Sequence, residues 1–127
     1  MTETQGILTM ASALAGHAAR RQSVIAANIA NADTPGYRSR DLADFALVYR
    51  DEGVAAMRAT RAGHLDEGGP GPSSRIVPAG GHPSPNGNDV SLETELVRSA
   101  DARRQHDIAL AVMRSSLAML RSALGRR

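Results

Sequence analysis

Ten positions near the C-terminus, Leu92, Leu96, Ser99, Arg103, His106, Leu110, Met113, Leu117, Leu120 and Leu124, step by four and three without a break. Seven of the ten are apolar, which is the pattern of a coiled-coil seam. A helix over residues 90–124 would be about 50 Å long at roughly 1.5 Å per residue. A chain of 127 residues cannot wrap a helix of that length from all sides. The seam therefore demands partners and restricts the fold to long helices lying side by side. Asp89 or Ser91 can cap the start, Glu93 and Glu95 suit its first turn, and Gly125 suits its end.

A second helical stretch lies at the other end of the chain. Over residues 6–32, small or apolar residues recur at Ile7, Ala11, Leu14, Ala18, Ile25, Ile29 and Ala32 in steps of three, four or seven. Arg21 and Gln22 interrupt this seam, much as Ser99, Arg103 and His106 interrupt the C-terminal one. A polar break of this kind is either a partly exposed helix middle or a specific contact between chains, where it would set register.

Between the helices the sequence changes character. Residues 63–89 hold seven of the twelve glycines and five of the six prolines. They predict a loop, mobile until something binds it, with a central strand unfavourable. Residues 43–60 read either as a broken helix or as a short extended piece. The expectation is a mainly α single domain. Its N-terminal helix covers residues 1–33, a turn and variable middle cover residues 34–89, and the C-terminal helix covers residues 90–127.

Composition narrows function. One Phe, two Tyr and no Trp give little material for a private core. The absence of cysteine removes disulfides and thiolate metal sites. All basic residues are arginine, but fifteen arginines are interspersed with thirteen acids, leaving no uncompensated stripe for nucleic acid except GRR at the C-terminus. His17, His64, His82 and His106 are scattered and match no metal spacing. No catalytic, cofactor or metal residues are expected. The first ten residues lack the pattern of a cleaved signal peptide, so any export is expected to proceed without one.

The end of the first helix carries the most specific motif. Pro35 disfavours helix at Thr34, and Pro35-Gly36 fit the middle of a type II turn across residues 34–37. Asn28 and Asn31 lie on one face just before this stop, where amides can satisfy open backbone groups. Tyr37, Phe45 and Tyr49, the whole aromatic content, follow directly behind it. Asn28, Asn31, Asp33, Thr34, Pro35, Gly36, Tyr37 and Phe45 form a candidate assembly motif. Ile7, Leu14, Ile25, Ile29, Leu92, Leu96, Leu110, Met113, Leu117, Leu120 and Leu124 are the candidate coiled-coil seam.

The stretch NIANADTPGYRSRDLADF closely resembles the N-terminal signature of bacterial flagellar rod, hook and filament-axis proteins. Asp33 before Thr34-Pro35-Gly36-Tyr37, followed by Arg40, Asp41 and Phe45, is most similar to the proximal-rod members. NGNDVSLETELV resembles the segment opening the family's C-terminal helix, and MLRSAL also fits. The middle matches loosely through ATRAGHL, and His106 stands near a place where members often carry an aromatic. The alternative within the family is the neighbouring rod protein FlgC; from another class, it is a basic helical nucleic-acid module.

The resemblance implies that the terminal helices pair as an antiparallel coiled coil. It implies a non-enzymatic subunit stacked helically around an export channel in the periplasmic rod of the basal body. Expected partners are further copies, FlgC, FlgF, FlgG, the adaptor FliE, the MS ring and the flagellar type III export apparatus. Nucleic acid and small-molecule substrates are not expected. The turn would redirect the chain out of the inner layer, and the aromatics would anchor it against neighbouring subunits.

Overall fold

A computed structural model describes residues 2–55 and 75–125. Helix α1 runs Thr2–Ala30, strand β1 Arg40–Leu42, helix α2 Phe45–Ala55, strand β2 Ile76–Pro78 and helix α3 Leu92–Leu124. Alanine, the best helix former, is frequent through α1, which ends just before the Asn31–Tyr37 turn region. Ser91 caps α3 by accepting from Thr94 N–H at 3.4 Å, and Glu93 and Glu95 sit in its first turn. At the far end Gly125 donates to the Arg121 carbonyl at 2.8 Å.

The two long helices pack antiparallel. Asn28 of α1 bonds Glu95 of α3, and Gln22 bonds Ser99. Their contact is built from small residues. Ala11, Ala18 and Ile25 on α1 are buried at intervals of seven, as are Glu95, Ala102, Ala109 and Ser116 on α3. Alanine at such positions lets helix backbones approach closely while burying little apolar area.

The large apolar residues of α3 lie elsewhere. Leu96 is 63 % exposed, Leu117 44 % and Leu124 75 %. Of the candidate seam, Ile25 is buried, and Leu14, Leu110, Met113 and Leu120 are half-buried. Ile7, Ile29, Leu92, Leu96, Leu117 and Leu124 are exposed.

Residues 45–55, within the stretch that reads as either a broken helix or a short extended piece, form α2, whose start is capped by Asp44 accepting from Ala46 N–H at 3.1 Å. The expected loop over residues 63–89 contains β2. β2 pairs antiparallel with β1 in the register Arg40↔Pro78, Asp41↔Val77 and Leu42↔Ile76. Pro78 is tolerated because this ladder has only two strands, so the missing N–H falls at a sheet margin. Residues 79–89 are tied back through Ala79 N–H to Ser39 carbonyl and Asp89 N–H to Tyr37 carbonyl. Residues 63–74, including His64, and residues 56–60 lie outside the described residues.

Candidate functional site

The turn behind α1 has the expected geometry. Tyr37 N–H reaches the Thr34 carbonyl at 3.2 Å, and Gly36 sits at φ +73°. That conformation is easy for glycine and strained for a β-branched residue. Asn31 caps locally, its amide donating to Ala27 carbonyl at 2.8 Å while its carbonyl accepts from the Thr34 hydroxyl. Asp33 and Pro35 are exposed.

The segment ahead of α3 closes over this turn. Gly36 N–H donates to the Asn86 carbonyl at 3.0 Å, and a Cβ on Gly87 would come within 3.4 Å of Gly36 Cα. The buried Asn88 amide is shared among the carbonyls of Asn31, Ala32 and Thr34 at 2.8–2.9 Å. These are the carbonyls exposed where α1 stops. Asp89 accepts the Ser39 N–H at 2.5 Å and lies 3.6 Å from the Arg38 guanidinium. The segment around Asn88 is thus the cap of the turn behind α1, supplied from 54 to 57 residues away.

Asn28 is the hub beneath the turn. Its amide donates to Arg40 carbonyl at 2.7 Å and to Glu95 Oε2 at 3.0 Å. Its carbonyl accepts from Arg40 N–H at 3.1 Å and Tyr37 hydroxyl at 3.3 Å. Both amide hydrogens and both lone-pair positions are therefore used. Glu95 in turn meets Arg98 at 2.6 Å, and Arg98 also reaches Ala79 carbonyl and stands 3.9 Å from Asp41. Asp41 is gripped by Arg21 through two bonds of 2.8 Å. Helices α1 and α3 and strand β1 are joined by one polar network at the turn end of the helix pair.

The sequence pattern missed most of this network. Arg21 and Gln22, read as a break in the seam, find partners within the chain in Asp41 and Ser99. Within the chain, Tyr37 bonds Asn28 and Phe45 lies edge-on to His17 at 5.6 Å, with Tyr49 5.3 Å beyond it. Tyr37 and Phe45 thus brace the redirected segment against α1. The amide of Asn28 before the helix stop was one signal for the network, and a polar residue spaced by sevens from alanines, Glu95, was another.

Two carboxylates make the fold sensitive to acid. For Asp41, burial alone would raise the pKa, but the Arg21 bonds, the Leu42 N–H and the nearby guanidinium charges hold it below the usual range. For Asp89 the Ser39 N–H is the main cause of the lowering, with Arg38 adding to it. A carboxylate depressed on folding contributes stability above its unfolded pKa, about 3.9, which is lost as pH falls through the folded value. The thermal midpoint should hold from pH 7 to 5 and drop progressively below about pH 4. A midpoint unchanged down to about pH 2.5 would contradict these placements.

The turn gives a second prediction. Nothing lies within 4 Å of a Cβ on Gly36, so the cost of Gly36→Val comes chiefly from strain in the backbone at φ +73°. That strain is on the order of 1–3 kcal/mol. Asn31→Ala removes a half-exposed bond and should cost below about 1 kcal/mol. Urea denaturation of the two variants should return them in this order, and the reverse order would count against the turn as built.

Round α3, at about 100° per residue, two apolar flanks border the alanine stripe. Leu96, Arg103, Leu110, Leu117 and Leu124 share one flank at intervals of seven. Ile108, Val112 and Met119 occupy the other, and all three are exposed. These flanks and the turn form the candidate assembly surface.

Comparison with known proteins places the chain beside flagellar rod proteins. Residues 7–38, which span α1 and the turn, match the family described as flagella basal body rod protein. The chain is 33 % identical over 111 residues to the flagellar basal body rod protein FlgB of Escherichia coli (strain K12), covering 75 % of each chain. It is 35 % identical over 111 residues to FlgB of Salmonella typhimurium (strain LT2), covering 78 % of each. With FlgB of Cereibacter sphaeroides it shares 31 % identity over 107 residues and 82 % of each chain.

Proposed function

Since the chain belongs to the FlgB family of flagellar basal body rod proteins, we propose that its copies polymerise helically into the proximal rod, around the export channel. Its role is structural and non-enzymatic, in the rod of the basal body and together with other rod components. The finer assignments belong to the proposal. They are contacts with FlgC, FlgF, FlgG, FliE and the MS ring, a periplasmic position, and delivery by the flagellar type III apparatus without a cleaved signal.

One observation carries the reading. The long helices meet through alanine, and large side chains such as Leu117, Leu124, Ile108 and Met119 are turned outward. Exposed large apolar side chains gathered along the flanks of one helix mark an interaction site. Two flanks on one helix allow a neighbour on each side, which is what an open assembly needs.

Leu117→Ala tests it. Because Leu117 is 44 % exposed in one copy, the isolated chain should lose only about 1 kcal/mol, roughly half of what a fully buried leucine contributes. Incorporation into basal bodies and swimming should fall clearly, since every copy in the assembly carries the same defect. Arg114→Ala, an exposed position off that flank, should be milder. Normal motility with Leu117→Ala would remove that flank from the assembly surface.

A further inference from the structure

Residues 79–89 lie over the turn behind α1 as a strap that adds no apolar side chain to the core. Hydrogen bonds hold it: Ala79 N–H to Ser39, Gly36 N–H to Asn86, and the Asn88 amide to the end of α1. Segments with few buried apolar contacts open locally at low cost. In the strap stands Asn86-Gly87, and of the four asparagines of the chain Asn86 alone precedes a glycine. The strap needs both residues. Gly87 sits at φ +81°, and a Cβ on it would lie 3.4 Å from Gly36 Cα. Asn86 Oδ1 accepts the Asn88 N–H at 3.0 Å, and its main-chain carbonyl accepts the Gly36 N–H at 3.0 Å.

This pair carries chemistry of its own. Asparagine is thermolabile, and a following glycine has no Cβ to hinder attack by its nitrogen. Gly87 N attacks Asn86 Cγ and gives up its proton, while the departing Nδ2 takes one up. An N–Cγ bond forms, the Cγ–Nδ2 bond breaks, and ammonia leaves a five-membered succinimide. Water then opens the ring. Opening at Cγ gives aspartate, and opening at the main-chain carbonyl gives isoaspartate, with one more carbon in the backbone.

The closed strap occupies both reacting groups. Ser84-Pro85-Asn86-Gly87 form a turn in which the Gly87 N–H donates to the Ser84 carbonyl at 2.8 Å. The nucleophile's hydrogen is thus held by Ser84, and the side-chain carbonyl it would attack is tied to the Asn88 N–H. We infer that Asn86-Gly87 is a succinimide site held off while the strap is closed, and that chains left open are marked there with isoaspartate and lose the clasp. Isoaspartate turns the carbonyl that accepts the Gly36 N–H into a free carboxylate beside the main chain. The added carbon also shifts Asn88 against the carbonyls of Asn31, Ala32 and Thr34. This chemistry belongs to the single chain and does not depend on the rod reading.

Ageing the purified full chain at neutral pH, folded and in urea, tests it, with peptide mass spectrometry and isoaspartate detection as the readout. Isoaspartate should form at Asn86 in urea and at least about tenfold more slowly in the folded chain. Asn28, Asn31 and Asn88 supply the background rate. Asn88→Ala unlatches the strap but keeps the Asn86-Gly87 pair. It should bring the folded-state rate to within about threefold of the rate in urea, while circular dichroism shows the long helices still formed. If that variant loses its helices, the wild-type comparison decides alone. In the chain that carries isoaspartate, the Gly36 amide should exchange its hydrogen at least about tenfold faster. Equal wild-type rates in and out of urea, no isoaspartate at Asn86 in urea, or a folded Asn88→Ala that ages as slowly as wild type overturns the protected site. Unchanged exchange at Gly36 overturns the loss of the clasp.

Discussion

Asn28→Ala is expected to destabilise the isolated chain by about 3 kcal/mol, from two or more buried hydrogen bonds at roughly 1–3 kcal/mol each. Asn28 is fully buried and its side chain serves Glu95, both polar groups of the Arg40 peptide, and the Tyr37 hydroxyl. Alanine fits α1 at least as well, so helix propensity acts against the loss and cannot cause it. What remains is a buried Glu95 carboxylate that keeps Arg98 but loses its second donor, and a β1 backbone detached from α1. Equilibrium urea denaturation measures the effect. Asn31→Ala, three residues on, is the internal comparison, because its amide bonds only a local carbonyl. If the two variants lose equal stability, Asn28 is not the hub.

The second large effect concerns the alanine stripe. Ala102 is completely buried and Ala109 nearly so, at the place where α1 and α3 approach. Ala102→Leu inserts three carbons into that contact and should cost up to about 3 kcal/mol through overpacking. On an outward face the same exchange would be close to neutral, and leucine is almost as good a helix former as alanine. Melting of the isolated variant therefore reports which face of α3 meets α1. An unchanged or raised midpoint would mean that the alanines are not the inner face.

Much of the architecture was legible because it depends on local chemistry. The C-terminal helix read as residues 90–124 runs Leu92–Leu124, and Ser91 is its cap. Pro35 and Gly36 announced a stop and a positive φ, and both are set by the backbone of neighbouring residues.

Periodicity did not reveal which stripe meets the chain's own partner helix. Leu96 to Leu124 and Glu95 to Ser116 are both spaced by sevens, and a repeat identifies a face without saying what covers it. Hydrophobicity favours the leucines, whereas close approach of two helices favours the alanines. In a subunit built for assembly the two demands fall on different faces.

The pairing of Arg21 with Asp41, the Asn88 clasp and the β1–β2 ladder were not legible for another reason. Each depends on residues brought together from 20 to 57 positions apart, and three-residue strands leave no readable alternation. The polar break at Arg21 and Gln22 was visible, but only the fold shows that it is satisfied within the chain.

The central claim is a division of labour on α3: alanines hold one copy together and the large side chains on the flanks hold copies to each other. Electron cryomicroscopy of basal bodies, with side-chain density over this chain, tests it most directly. The account predicts that Ala102 and Ala109 contact α1 of the same copy, while Leu96, Leu110 and Leu117 are covered by a neighbouring subunit. A rod in which those leucines face open solvent, or pack on α1 of their own copy in place of the alanines, would contradict it.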